Sequence, residues 1–308
     1  MDNILIVSIV LTSFLFCHLL KKIFTRLGKF DAINFRSVHK SKATKTGGIS
    51  VFFTVFIFSS YYYLQSNQIY DFSILIPLGI MFIVGVYDDF YNADFKLKFF
   101  LQIIVAKILI DYGLVIENFH GVLGIYEIPR LASQLFTTFV FLVIVNAMNF
   151  IDGIDGLAIT ETIKVIIIIE LLSQIKTPFF HLGTLVVLAL LPLYYFNFKK
   201  DYKVFIGDGG SLFLGTLISI YIFHVLGPDY NLKHDVNKPF FAMSLLVYPL
   251  FDLLRVFILR VKEKKSPFNP DQNHIHHFLL KKGYSHFLIV SILFFSSLIF
   301  LLSVFLVS

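Results

Sequence analysis

Ten apolar windows, each long enough to cross a bilayer, constrain this chain more than any other feature. They fall at about 3–23, 48–64, 71–88, 99–117, 131–150, 157–173, 178–197, 211–226, 239–259 and 286–307. A hydrocarbon core about 30 Å thick takes about 17–25 helical residues. Each window is apolar around nearly its whole circumference, as lipid-embedded helices are and amphipathic surface helices are not. Composition agrees, because only 15% of the 308 residues are charged, against about 25% in a soluble protein. The expectation is an all-α polytopic membrane protein of about ten transmembrane helices, forming one domain over 1–308.

Charge placement gives an orientation. No Lys or Arg precedes the first window, while Lys21, Lys22 and Arg26 follow it. This pattern favours a retained helix with its N-terminus outside over a cleaved signal peptide. Twenty of the 26 Lys and Arg then flank the connections after windows 1, 3, 5, 7 and 9, including Arg36, Lys40, Lys45, Lys200 and Lys203. Only Arg130, Lys176, Lys233 and Lys238 flank the opposite side, and Lys107 and Lys164 lie within windows. The crowded side is therefore expected to face the cytoplasm. The net charge of +6 reports orientation and implies no nucleic-acid partner. Cys17 is the single cysteine, so no intrachain disulfide can form.

The polar clusters fall on that same side: "VYDDFYNADFKLK", "NAMNFIDGIDGLA", "NFKKDYKVFIGDGGS" and "SPFNPDQNHIHHFLLKKG". In the second, Asn146, Asn149, Asp152 and Asp155 are spaced three apart. Such a ladder stays on one face only if the helix tightens or breaks, which Gly153 and Gly156 allow. A lone Asp there would be explained by the dipole of the next helix. Two Asp and two Asn, beside three other polar connections, point to a polar pocket at the cytoplasmic rim. Asp88 and Asp89 are adjacent acids whose repulsion needs a cation or a divergence, and carboxylate oxygens with room for phosphate suit Mg²⁺.

"FIGDGGSLFLG" sets Asp208 among glycines that would let backbone N–H groups approach an anion at a helix N-terminus, with Ser211 a plain N-cap candidate. His274, His276 and His277 stand near Asp271, but their spacing fits no standard zinc site and Cys is lacking. Imidazoles and amides near basic residues suit a diphosphate or sugar hydroxyls better, although interfacial His residues also cap helix ends. Lys96 and Lys98 could mark the inner interface, whereas Lys107, inside an apolar window, must snorkel, pair or meet a buried anion. Together these features point to phosphoryl transfer between a soluble nucleotide substrate and a membrane lipid.

The motifs "VGVYDDF", "NAMNFIDGIDGLA", "FIGDGGSLFLG" and "SPFNPDQNHIHH", in this order on one face, resemble the signatures of the polyprenyl-phosphate N-acetylhexosamine-1-phosphate transferases. "RSVHKSKATKTGG" is similar to the first cytoplasmic loop of that family. The His-rich loop resembles the branch that transfers N-acetylglucosamine-1-phosphate to undecaprenyl phosphate to start a surface glycan. The peptidoglycan branch usually has Lys where this chain has Asn92. The resemblance implies Mg²⁺ as cofactor, with Mn²⁺ as a substitute, held by Asp208 and Asn149. Asp88 and Asp89 would line the reacting centre, and Asp152, Gly153, Asp155, Phe205 and Asn197 would bind the nucleotide, Phe205 by stacking on uracil. His274, His276 and His277 would hold the diphosphate and sugar, and Lys98 the lipid phosphate, for which Lys107 is a further candidate from its burial alone. Two departures stand out: Thr44 replaces a usual Pro, and Gln272 a usual basic residue.

The implied partners are a UDP-sugar, polyprenyl (undecaprenyl) phosphate and membrane lipid, in the cytoplasmic (inner) membrane, with homodimerisation left open. A phosphomonoester with a second pKa near about 6 is already largely ionised at neutral pH. Direct attack on the β-phosphorus is therefore favoured over a covalent aspartyl intermediate. A peptidoglycan-branch transferase, a transporter or ion channel, and a non-catalytic scaffold are the alternatives. A transporter would place acids in mid-helix or on both faces.

Overall fold

The computed structural model describes residues 3–31, 42–199, 201–266 and 273–307. Its helices are α1 (Asn3–Arg26), α2 (Gly47–Leu64), α3 (Leu75–Tyr91), α4 (Phe95–Asp111), α5 (Arg130–Ile151), α6 (Leu157–Leu172), α7 (Phe180–Asn197) and α8 (Gly207–Leu226). They continue as α9 (Lys238–Leu245), α10 (Val247–Lys262), α11 (Ile275–Lys281) and α12 (His286–Val307). The one sheet among the described residues is a parallel pair of two-residue strands, β1 (Ala43–Thr44) and β2 (Lys203–Val204).

All ten apolar windows contain helix, and the protein is an all-α polytopic membrane protein. The count of about ten spans is not confirmed. Among the described residues seven helices are long and apolar enough to cross a membrane, or eight if α9 and α10 form one span. Three windows account for the difference. The ninth breaks at Leu246 with a bend of 76°. Pro249, three residues on, has no N–H to donate to the carbonyl of Leu245 and cannot extend the α9 ladder. The fourth stops at Asp111 instead of about 117. Ile116 is apolar because it is buried, with its N–H donating to Thr137 Oγ1 at 2.9 Å and its carbonyl accepting from Ser133 Oγ at 2.6 Å. The sixth, α6, has 16 residues.

Burial separates the helices into a centre and a rim. Nearly every residue of α8 is buried, and α2, α3 and α5 pack around it. In contrast, α1 and α12 expose apolar side chains such as Leu11, Leu15, Phe287 and Leu302. In water such surface would be unfavourable, but hydrocarbon accommodates it. α6 carries the buried pair Glu161 and Lys164, 2.5 Å apart. Lys164 also donates to Ser297 of α12 at 3.0 Å. Charges inside a membrane protein are tolerated when paired in this way.

At the end of the bundle where α8 begins, small residues allow backbones to touch. A Cβ built on Gly85 of α3 would lie 2.2 Å from the carbonyl oxygen of Asp208 at the start of α8. The N–H groups of Gly47 and Gly48, opening α2, donate to the carbonyls of Phe205 and Ile206, each at 2.8 Å. The connection between α1 and α2, through β1, is thus clipped beside the start of α8. Between α4 and α5, Asn118 and Glu127 form an isolated antiparallel bridge, consistent with a short hairpin there.

Candidate active site

Two local signals fold the acid pair toward α4. Asn92 adopts a left-handed conformation with φ 51° and closes α3 by donating to the carbonyl of Asp88. Asn tolerates that conformation better than most residues. Asp94 then caps α4 by accepting the N–H of Lys96 at 3.0 Å. The chain reverses, and Lys98 returns over Asp88, with Nζ 2.5 Å from Oδ2. The same ammonium lies 3.7 Å from Oδ2 of Asp208.

Asp88 and Asp89 diverge. Asp89 turns inward and accepts the backbone N–H groups of Asp208 at 3.1 Å and Gly209 at 3.0 Å. Gly207, with φ +71°, leaves the space for this carboxylate, since a Cβ there would lie 2.7 Å from its Oδ2. The anion expected at the N-terminus of α8 is therefore the protein's own Asp89. Lys45 balances it at 3.4 Å and also reaches Asp31 at 3.3 Å. Partial burial would lower the Lys45 ammonium, but the charges of Asp89, Asp31 and Asp208 hold it above its ordinary value. Ser211 is not an N-cap, because α8 begins four residues earlier. Its hydroxyl accepts from Asn149 Nδ2 at 2.8 Å.

The ladder of four polar residues does not share one face. α5 ends at Ile151, and a turn of five residues precedes α6. Asn146 donates to Gln102 of α4 at 2.9 Å. Asn149 donates to Oδ1 of Asp208 at 3.0 Å. Asp152 is half-buried at the end of α5, and burial, followed by the charges of Asp208 and Asp89, pushes its carboxyl well up. Asp155 pairs with Lys203 of β2 and lies 3.0 Å from Nδ1 of His286. Burial pushes the Asp155 carboxyl up, but hydrogen bonds and charge from His286 and Lys203 outweigh it and hold it below the usual range.

Gly153 is exposed at the tip of the turn, facing Nε2 of His276. Phe205 follows β2 and is half-buried. Asn197 is only 4% exposed and donates to the carbonyl of Val204 at 2.8 Å, so it steadies the strand that leads to Phe205. His274, His276 and His277 pack ring against ring, with centroids 4.4–6.2 Å apart. Burial, with the charges of His277 and His274, lowers the His276 imidazole to about 3, so it is neutral at physiological pH. Lys107 is not brought to the cluster, since it sits half-exposed farther along α4 and pairs with Asp111. Asp271, Gln272, Arg36, Lys40 and Lys200 lie outside the described residues.

Several participants carry no sequence signal of their own: Lys45, Lys203, His286, Tyr248 and Asp252. Of these, only Lys45, two residues before the Gly47–Gly48 pair, has a telling position.

Among the described residues no three His, Cys, Asp or Glu side chains converge as a metal cluster. Mg²⁺ commonly takes one or two carboxylates and fills its remaining positions with water and substrate phosphate. Asp88 and Asp208 offer that donor set, and the Lys98 ammonium already lies between them as a cation. A half-turn of the Asn149 amide, whose O and N are distinguished only by hydrogen bonding, would add a third oxygen beside Asp208. The residues present therefore fit a hard divalent cation.

Comparisons with known proteins identify the family. The model of glycosyl transferase family 4 matches residues 71–225, which contain Asp88, Asp89, Asn149 and Asp208. A probable undecaprenyl-phosphate N-acetylglucosaminyl 1-phosphate transferase from Bacillus subtilis (strain 168) is 30% identical over 299 residues, covering 95% of this chain and 81% of the relative. Undecaprenyl-phosphate alpha-N-acetylglucosaminyl 1-phosphate transferases from Salmonella typhi and Escherichia coli (strain K12) are 29% and 28% identical, each over 91% of this chain and 77% of the relative. With a family model over half its length and relatives aligned from end to end of the bundle, the chain belongs to glycosyl transferase family 4.

Proposed function

We propose that the protein transfers a sugar-1-phosphate, N-acetylglucosamine-1-phosphate first among candidates, from a UDP-sugar to undecaprenyl phosphate, releasing UMP and starting a surface glycan. The observation that carries this is the meeting of Lys98 with Asp88 and Asp208, where Lys98 also lines an apolar groove. That groove has a volume of about 270 Å³ between α4, α5 and α10, and Lys98 and Arg260 are among its lining residues with Phe99, Phe139 and Phe257. A charged cluster opening onto a lipid-facing channel suits a substrate with a phosphate head and a hydrocarbon tail.

Lys98 would grip the lipid phosphate while Asp88 orients it or takes its remaining proton. One phosphate oxygen attacks the β-phosphorus, the bond from that phosphorus to the bridging oxygen breaks, and UMP leaves with the electron pair. Mg²⁺ held by Asp208 and Asn149 would neutralise the diphosphate. His274, His276 and His277 would take the diphosphate and sugar side, and Asp152, Gly153 and Phe205 the nucleotide. Asp155 would serve there through the loop it ties to Lys203 and His286. The proposed location is the cytoplasmic membrane, with the N-terminus outside and this site facing the cytoplasm, in accord with the basic connections.

Purified protein given Mg²⁺, undecaprenyl phosphate and a panel of UDP-sugars tests this. UMP should be released from UDP-N-acetylglucosamine only when the lipid is present, and Asp208→Asn should abolish it. Release only from UDP-N-acetylmuramoyl-pentapeptide would place the protein in the peptidoglycan branch. Solute flux across proteoliposomes without UMP would make it a transporter.

A further inference from the structure

Tyr248 and Asp252 lie one turn apart on the buried face of α10, 6% and 1% exposed. Each takes Nδ1 of one imidazole from the His-rich segment. Oδ2 of Asp252 is 2.8 Å from Nδ1 of His274, and Oη of Tyr248 is 3.1 Å from Nδ1 of His276. The second Asp252 oxygen accepts the N–H of Ile275 at 2.9 Å and Nη2 of Arg255 at 3.2 Å. Arg255 also donates to the carbonyl of Asn273. One helix thus holds the segment by two ring nitrogens and by the backbone on either side of His274.

The two rings gripped in this way stack in parallel, with centroids 5.4 Å apart and 5° between planes. They face the end of α5 and the turn after it. His274 packs on Phe150, 5.5 Å between centroids, and Nε2 of His276 points to Gly153. That Nε2 is fully buried and has no hydrogen-bond partner. A buried polar atom in this condition is costly unless a ligand supplies the partner.

A carboxylate only accepts hydrogen bonds, so Asp252 fixes the proton of His274 on Nδ1 and leaves the Nε2 edge for a ligand. Partners of this kind set both ring angle and tautomer for imidazoles at metal and catalytic sites. We propose that Asp252 and Tyr248 are positioning residues for the transfer reaction, aligning the Nε2 edges of His274 and His276 toward the diphosphate-sugar of the donor. Neither touches the substrate, and both act through the imidazoles. The inference rests on the proposed function above.

A double-mutant cycle on kcat/KM for UDP-N-acetylglucosamine tests it, with KM and kcat reported separately. Asp252→Leu should lower kcat/KM by about 100-fold, and Asp252→Asn, which keeps an acceptor for Nδ1, by about 3- to 10-fold. In a His274→Leu background the Asp252→Leu change should add less than about twofold. Tyr248→Phe removes only a hydroxyl and runs the same cycle against His276→Leu, which covers the case in which Asp252→Leu does not fold. Losses of equal size in both backgrounds would overturn the inference, because a residue that merely stabilises α10 acts independently of the rings. Wild-type protein that releases no UMP from any UDP-sugar would instead overturn the proposed function, and this inference with it.

Discussion

The carboxylate of Asp89 accepts the backbone N–H of Asp208 at 3.1 Å, joining the last turn of α3 to the first turn of α8. With Gly209 and Lys45 as its other partners, Asp89 is occupied on every side and only 4% of its side chain is exposed. Asp88 instead faces Lys98. Two adjacent acids therefore turn to different partners, one tying α3 to α8 and the other facing the Lys98 ammonium.

The division is open to measurement. Asp88→Asn should lower UMP release by at least about 100-fold while leaving the thermal midpoint nearly unchanged. Asp89→Asn keeps one acceptor but loses the charge, so a fall of about 10- to 100-fold should come with a lower midpoint. An Asp89→Asn protein as stable as wild type would remove the structural role.

Gly85 is a second test of the contact between α3 and α8. An added Cβ would meet the backbone of Asp208, which has no rotamer through which to yield. Gly85→Ala should destabilise the protein by about 1–3 kcal/mol and displace Asp208 from Asn149. Thermal unfolding in detergent together with UMP release would check it; wild-type values for both would mean that the helices sit farther apart.

His276 gives a pH dependence with a definite sign. Its folded value near 3 lies below its ordinary value of 6.5, so the unfolded chain binds the extra proton first. The stability is complete above about pH 6.5 and is lost progressively as pH falls toward about 3, by up to about 1.4 kcal/mol per unit. His276→Gln, which cannot ionise, should flatten that part of the acid limb in thermal melts between pH 7 and 4.5. An unchanged limb would show that His276 is not held neutral.

Within the membrane, Lys164→Met leaves the buried carboxylate of Glu161 without its cation and should cost about 3–5 kcal/mol. The double change Glu161→Gln with Lys164→Met should recover most of it, as judged by thermal midpoint. Equal midpoints for the single and double variants would contradict the pairing.

The membrane class and the gathering of acids on one rim were legible because both follow from apolar length and from the placement of Lys and Arg. Where the helices end was not, since hydropathy cannot distinguish Ile116, buried in the connection after α4, from a residue of α4, nor see the break at Leu246. The acids of the site were legible by type and motif, but not which way each one turned. Asp89 caps α8 through partners 119 and 120 residues away. Lys203 reaches Asp155 across 48 residues. Such pairings depend on helix packing that no local spacing encodes. Lys107 misled for the opposite reason: its window is apolar, yet its own position faces outward and Asp111, four residues on, satisfies it.

The most direct measurement follows the β-phosphorus itself. UDP-N-acetylglucosamine labelled with ³²P at the β-position is incubated with the protein, Mg²⁺ and undecaprenyl phosphate, and the lipid and aqueous phases are separated. Label should enter the lipid phase with unlabelled UMP released in equal amount, and neither should occur with Asp208→Asn. Label that stays in the aqueous phase as UDP while the sugar moves to lipid would contradict transfer of a sugar-phosphate at this site.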